Sequence, residues 1–258
     1  MNSFSPAAAA APDRIQYLDA VARTPVGLDY KQRLLDLLRP QAGHTVLDIG
    51  CGPGTDLPRL ADAVAGTGAV IGVDDDPDML AEARRRLAHR PGVEVRLGDA
   101  HELPLADASV DRAKVDRVLQ HLADPGRAVA EARRVLRRGG VFAMAEPDWD
   151  TLTVADEDVE TSRCFARFTA GRVRNATVGR RLVSLAARAG FGIVSVEATV
   201  ALYRDFPAAD QVLGLRRNTA RAVRAGVMAD EVARQWLARL ETEPFLAGFT
   251  FYLVTAEV

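Results

Sequence analysis

The sequence predicts an α/β fold: a mostly parallel sheet with helices on both faces and helical inserts over one end. Three observations carry this. Short apolar runs alternate with amphipathic helical stretches from about residue 45 to 145, and that alternation gives right-handed crossovers and a parallel sheet. A glycine-rich turn, Gly50 to Gly54, follows the first run directly and precedes a helix. The length, 258 residues, with 48% apolar and 26% charged residues, suits one such domain with insertions.

Leu28 to Arg39 carries Leu34, Leu35, Leu37 and Leu38 and stops before Pro40, which reads as an amphipathic helix. Thr45 to Ile49 is a buried strand closing in Gly50. A helix is expected over Thr55 to Val64, a second strand over Ala69 to Val73, and a helix over Pro77 to His89 opened by its proline. Val93, Val95 and Leu97 alternate as a third strand. Val110 to Val118 is the fourth, made polar by Asp111, Arg112 and Lys114. Asp124-Pro125 caps a helix to Arg138, stopped by Gly139-Gly140, and Val141 to Ala145 is the fifth strand. Beyond it, Trp149 to Arg174 reads as helical, Arg180 to Ala189 as a helix and Ile193 to Tyr203 as a long strand. Pro207 to Leu240 reads as helical, and Phe245 to Val258 as a closing strand rich in aromatics. Residues 1–14 read as a disordered tail and 15–258 as the domain, with helical inserts at about 149–178 and 207–242 acting as a lid.

Composition narrows the function. Thirty-three basic against 35 acidic residues leave a net charge of −2, without the basic excess of a phosphate-driven nucleic-acid binder. Two cysteines, Cys51 and Cys164, give no disulfide framework, and a reduced cytoplasmic setting is the default. No apolar run of 18 residues exists, so no membrane insertion is expected. No HxxxH, CxxC or HExxH spacing points to a metal.

The chemistry concentrates in Asp48-Ile49-Gly50-Cys51-Gly52-Pro53-Gly54. Glycines let the backbone turn tightly and approach a ligand, and the helix that follows offers free N–H groups. Asp74, 24 residues after Gly50 at the end of the second strand, is placed to accept from ribose hydroxyls. The spacing is G-x-G-x-G, and an acid two residues before the first glycine disfavours a pyrophosphate. An adenosyl ligand with an amino-acid tail suits the loop better than a dinucleotide.

These segments resemble the class I S-adenosylmethionine-dependent methyltransferases. VLDIGCGPG at 46–54 is similar to their first motif, VIGVDDDPDML at 70–80 to the second and GDAHELPLADASVD at 98–111 to the third. LQHLADP at 119–125 and RVLRRGGVFAMAEPD at 134–148 complete the core. The subgroup most similar is the small-molecule type, including ubiquinone/menaquinone C-methyltransferases and natural-product tailoring enzymes. The resemblance implies a Rossmann-like, seven-stranded sheet with an antiparallel last strand. It implies S-adenosylmethionine as methyl donor and S-adenosylhomocysteine as product. It places Gly50, Cys51 and Gly52 at the methionine moiety and Asp48 behind them, orienting loop or ammonium group. Asp74 is placed at the ribose, Asp75 at the adenine edge, Asp99 and the Ala100 N–H on the adenine, and Asp116 beside the sulfonium. Tyr17 and Lys31 are expected to close the pocket from N-terminal helices.

A sulfonium methyl is already activated, so the protein mainly aligns the acceptor and excludes water. A base is needed only for an acceptor protonated at neutral pH. His121, after the fourth strand, and Glu146, ending the fifth, are the expected catalytic residues, with Asp148 and Trp149 as pocket walls. His44, His89 and His101 read as ordinary loop or helix-end residues. No N/D-P-P-Y/F tetrad and no Pro-Cys nucleophile are present, which argues against chemistry on flipped bases. The expected partner is a small-molecule acceptor methylated at oxygen, carbon or nitrogen, with a monomeric or homodimeric protein. Two alternatives stand beside methyl transfer: the same ligand with another reaction such as cyclisation, and a binding module without turnover.

Overall fold

The structure, a computed structural model, describes residues 13–258. Seven strands form one sheet: β1 Thr45–Ile49, β2 Ala69–Asp74, β3 Val93–Leu97, β4 Val110–Asp116, β5 Leu136–Val154, β6 Gly192–Tyr203 and β7 Ala247–Glu257. Their order is β3-β2-β1-β4-β5-β7-β6. Pairings from β3 to β5 are parallel, and β7 runs antiparallel to both β5 and β6. This is the Rossmann-like sheet with the antiparallel last strand.

Ten helices among the described residues surround it: α1 Arg14–Arg23, α2 Pro25–Leu38, α3 Leu57–Ala63, α4 Pro77–Leu87, α5 Pro125–Val135, α6 Val159–Ala170, α7 Val178–Arg188, α8 Phe206–Leu213, α9 Leu215–Arg224 and α10 Asp230–Thr242. The central strands are mostly apolar because both faces are covered, with Asp48 of β1 and Lys114 of β4 as buried charged exceptions. Val46 and Val70 join one core with Leu34, Leu38, Leu60 and Leu80. Their neighbours Leu47 and Ile71 join the other with Ala128, Val129 and Leu182. Strand order reverses between β1 and β4, so the crevice beyond their carboxyl ends is where an α/β sheet receives a ligand. The register levels those ends: Ile49 lies opposite Val73 and Val115, Asp74 opposite Leu97, and Asp116 opposite Ala145.

Several boundaries differ from the sequence reading. Residues 149–154 were expected to be helical, but β5 runs on to Val154, pairing Thr153 and Val154 with Gly248 and Ala247 of β7. The β-branched run Thr151-Leu152-Thr153-Val154 favours strand, and helix begins only at α6, where the Asp158 carboxylate accepts from the Thr161 N–H at 3.0 Å. The single stretch at 207–240 is three helices, broken after Leu213 by Gly214 at φ +62° and again after Arg224. The helix expected from Leu28 is α2, which opens at Pro25 and is capped by Thr24. The expected tail lies outside the described residues up to residue 12. Its last two residues, Asp13 and Arg14, cap and open α1.

Candidate active site

The glycine loop is built on left-handed backbone. Gly50, Gly52 and Gly54 have φ of +70°, +53° and +77°, where a side chain is strained. A Cβ on Gly50 would also stand 2.3 Å from Val118 Cγ2. The Gly50 and Cys51 N–H groups donate to the Val73 carbonyl at 2.7 and 3.0 Å. The Asp74 carboxylate accepts from the Gly52 N–H at 2.7 Å and the Asp76 N–H at 3.0 Å. It therefore fastens the loop to the end of β2. Burial raises its pKa above the ordinary carboxylate value, against the pull of these N–H groups.

A cavity of about 720 Å³ opens beyond the strand ends. Asp74, Asp75, Asp99 and Ala100 line it at β2 and β3, and Gly50, Gly52, Asp116 and His121 at the centre. An aromatic wall of Tyr17, Tyr30, Trp149, Tyr203, Phe249 and Phe251 lines it beyond. Trp149 stacks on Phe249 at 4.8 Å and Tyr30 on Phe251 at 4.4 Å between ring centroids. The helix α1 forms part of the cover. Arg14 pairs with Asp76 at 2.6 Å, Asp19 with Arg86 at 2.7 Å, and the Tyr17 hydroxyl donates to the Val212 carbonyl at 3.3 Å.

A recess of about 60 Å³ shares Leu18, Gly50, Gly52, Asp116 and Arg117 with the large cavity and ends on Lys31, Asp48, Cys51, Asp56 and Lys114. Lys114 Nζ lies 2.9 Å from carboxylate oxygens of both Asp48 and Asp56. Lys31 Nζ lies 2.7 Å from Asp56 and 2.5 Å from Asp116 Oδ2, which also accepts from Tyr30 at 3.3 Å. Asp48 is 2% exposed. Burial pushes its pKa up to about 6, opposed by Lys114. Asp56, where burial acts the same way, is held below the usual carboxylate range because Lys114 and Lys31 both face it.

Most of the expected site residues converge here, with corrections. Asp48, Lys31 and the Cys51 side chain lie at the recess, not in the large cavity. Gly72 leaves room for the Cys51 thiol, since a Cβ there would stand 2.8 Å from its sulfur. Glu146, expected at the acceptor, does not line the cavity. It is 0% exposed, and its Oε1 accepts from the Val118 and Leu119 N–H groups at 2.8 and 2.6 Å. Burial, the dominant cause, and the Asp116 charge raise its pKa to about 8 against those bonds. It holds the β4–α5 loop from beneath. Asp148 is likewise turned inward, paired with Arg180. His121 does line the cavity, at an exposed position. The protein packed round its ring lowers its pKa first, and the Arg117 and Arg14 charges add to this.

Four contributors escaped the sequence reading. His101 lines the cavity and holds Asp99 through its N–H at 2.8 Å and its Nδ1 at 2.6 Å. These contacts, with the backbone one larger, lower the Asp99 pKa. Lys114 stood out only as a charge inside a strand. Asp56 carried no signal because its partners Lys31 and Lys114 are distant in sequence, and Arg117 carried none because its placement rests on the fold of the loop after β4. Among the described residues, no cluster of His, Cys, Asp and Glu has metal-holding geometry, and no helix is long and apolar enough to cross a membrane.

Residues 47–144 match the family model described as a methyltransferase domain. Over 249 residues the chain is 51% identical to an uncharacterized 37.1 kDa protein in transposon TN4556 of Streptomyces fradiae, covering 96% of this chain and 72% of that protein. It is 33% identical over 125 residues to a demethylmenaquinone methyltransferase of Staphylococcus aureus, 48% of this chain and about half, 52%, of that enzyme. A crystal structure of an S-adenosylmethionine-dependent methyltransferase from Aquifex aeolicus superposes with a TM-score of 0.58 at 17% identity, covering 95% and 99% of the two chains. The chain carries a class I S-adenosylmethionine-dependent methyltransferase domain.

Proposed function

We propose that the protein methylates a small or medium-sized organic acceptor at oxygen, carbon or nitrogen, of the kind met in quinone-type or secondary metabolism. One observation carries this reading. The cavity at the switch point has carboxylates along one side, Asp74, Asp75 and Asp99, and stacked aromatics along the other. The residues fit S-adenosylmethionine as donor. Gly50 and Gly52 lack the Cβ atoms that would fill the approach to their backbone, and the two Asp74 oxygens retain lone pairs for ribose hydroxyls. Asp75, Asp99 and the Ala100 N–H would border the adenine. Gly50, Gly52 and the recess would take the methionine part, with Asp116, Tyr17 and Lys31 enclosing it and Asp48 steadying Lys114 behind it.

When bound, the donor supplies an electrophilic methyl on a sulfonium sulfur. The protein's own part is alignment. The aromatic wall orients a flat or apolar acceptor, and the cover of α1 and α8 excludes water. His121, its pKa lowered from 6.5, stays neutral at pH 7 and can accept a proton from an acceptor hydroxyl or amine. Glu146 acts one step back, as a positioning residue beneath the loop that carries His121. The test is turnover: the protein is incubated with S-adenosylmethionine and a panel of phenols, quinols and aryl amines. Acceptor-dependent S-adenosylhomocysteine with a product 14 mass units heavier is expected. Stoichiometric binding without release of that product from any acceptor, or an isomerised product of unchanged mass, contradicts it.

A further inference from the structure

The geometry points to Arg117 as the oxyanion-binding residue of this site, receiving a carboxylate-type group from one of its two ligands. The inference rests on the methyltransferase reading above.

Three cations and three carboxylates meet at the recess: Lys31, Lys114 and Arg117 with Asp48, Asp56 and Asp116. The lysines take the carboxylates. Lys114 bridges Asp48 and Asp56, and Lys31 bridges Asp56 and Asp116. Arg117 is left out. Its nearest carboxylate oxygen, Asp116 Oδ1, is 3.7 Å from Nε, beyond hydrogen-bonding reach. Arg117 Nε and Asp116 Oδ1 are both buried and without a partner among the described residues. The side chain is 19% exposed, so Nε has left water without a hydrogen bond to replace it. Arg86 is matched by Asp19 and Arg239 by Asp156; Arg217 shares the unpartnered Nε but lines neither the cavity nor the recess.

The backbone shows the same cost carried for position. Arg117 has φ +56°, a conformation side chains avoid and which concentrates at functional sites. Neighbours hold it there. Its N–H donates to the Ala145 carbonyl at 2.9 Å, and its own carbonyl accepts from Gln120 at 3.1 Å. The next two N–H groups donate to Glu146. So held, the side chain lines both the large cavity and the recess, within reach of the donor's tail and of an acceptor. A planar fork of donors with no partner is complementary to a carboxylate.

Calorimetry on the full chain tests this with Arg117→Gln and Arg117→Gly beside wild type. One arm compares S-adenosylhomocysteine with 5′-deoxy-5′-methylthioadenosine, which lacks the amino-acid tail. The other adds aryl carboxylates and their matching amides to the S-adenosylhomocysteine complex. A loss of about tenfold or more is expected in both variants for one oxyanion and not for its uncharged counterpart. If the loss falls on S-adenosylhomocysteine, the anion is the donor's carboxylate. If it falls on aryl carboxylates with S-adenosylhomocysteine unchanged, the anion belongs to the acceptor. Arg117→Gly also relieves the left-handed strain, so its melting temperature should be retained or raised while the anion is lost. Affinities unchanged in both arms, or charged and uncharged ligands weakened alike, overturn the assignment. Wild type that binds neither adenosyl ligand would instead defeat the methyltransferase reading beneath it.

Discussion

Replacing Glu146 by glutamine should make the protein more stable, by an amount that grows with pH. The side chain is fully buried, with Oε1 accepting two N–H groups and Oε2 unpartnered. Its pKa of about 8 lies above the ordinary 4.5. Between those values the unfolded chain has released the proton and the native chain still binds it. Stability is therefore full below the unfolded value and falls as pH rises, by about 1.4 kcal/mol per unit for this one group. Glutamine keeps the Oε1 acceptor and cannot ionise. The variant should match wild type near pH 5 and exceed it near pH 8 by on the order of 3 to 4 kcal/mol. Alanine is the contrasting change. It leaves the Val118 and Leu119 donors without an acceptor, costing about 1–3 kcal/mol each when buried. Urea unfolding at half-unit pH steps from 5 to 8.5 measures both. A glutamine-minus-wild-type difference that stays flat across this range would refute the buried, proton-holding carboxyl. Equal stability of the alanine and glutamine variants would refute the loop anchor.

Gly50→Ala should abolish adenosyl-ligand binding in calorimetry and lower stability by about 1–2 kcal/mol from the left-handed backbone alone, before the overlap with Val118. Full retention of affinity would show that the loop tolerates a Cβ where the structure has none. Lys114→Met should cost about 3–5 kcal/mol in urea unfolding, because Asp48 and Asp56 lose their shared ammonium. The double change Lys114→Met with Asp48→Asn should recover part of that loss. If it recovers nothing, the pair is not coupled as its 2.9 Å contact requires.

The parallel half of the sheet was readable because its inner strands are buried on two faces, while the edge strand β3 showed itself by alternation. Val46-Leu47 and Val70-Ile71 send adjacent residues into opposite cores, and the resulting apolar runs admit few other readings. The glycine loop and Asp74 were readable because both requirements, freedom at φ and an acid at a strand end, are local. Glu146 was not, since the question was which face of β5 it takes. Residues 140 to 148 are buried throughout, so alternation gave no answer. The end of β5 was missed for a different reason: Thr151 to Val154 carried a strand signal, outweighed by the helical stretch that follows. The recess lay beyond any local pattern. Lys114, Lys31, Asp48 and Asp56 meet only after β1 and β4 pair and α2 packs across them. Arg117 depends on one backbone angle, set by Ala145, Gln120 and Glu146.

The central claim is that the crevice beyond β1, β2 and β4 binds the methyl donor through Asp74 and the glycine loop. Titration calorimetry of S-adenosylhomocysteine into wild type and Asp74→Ala tests it most directly, with circular dichroism confirming that both are folded. One saturable site in wild type, lost in the variant, is the expected result. A folded wild type that binds nothing, or a variant that binds equally well, would contradict it.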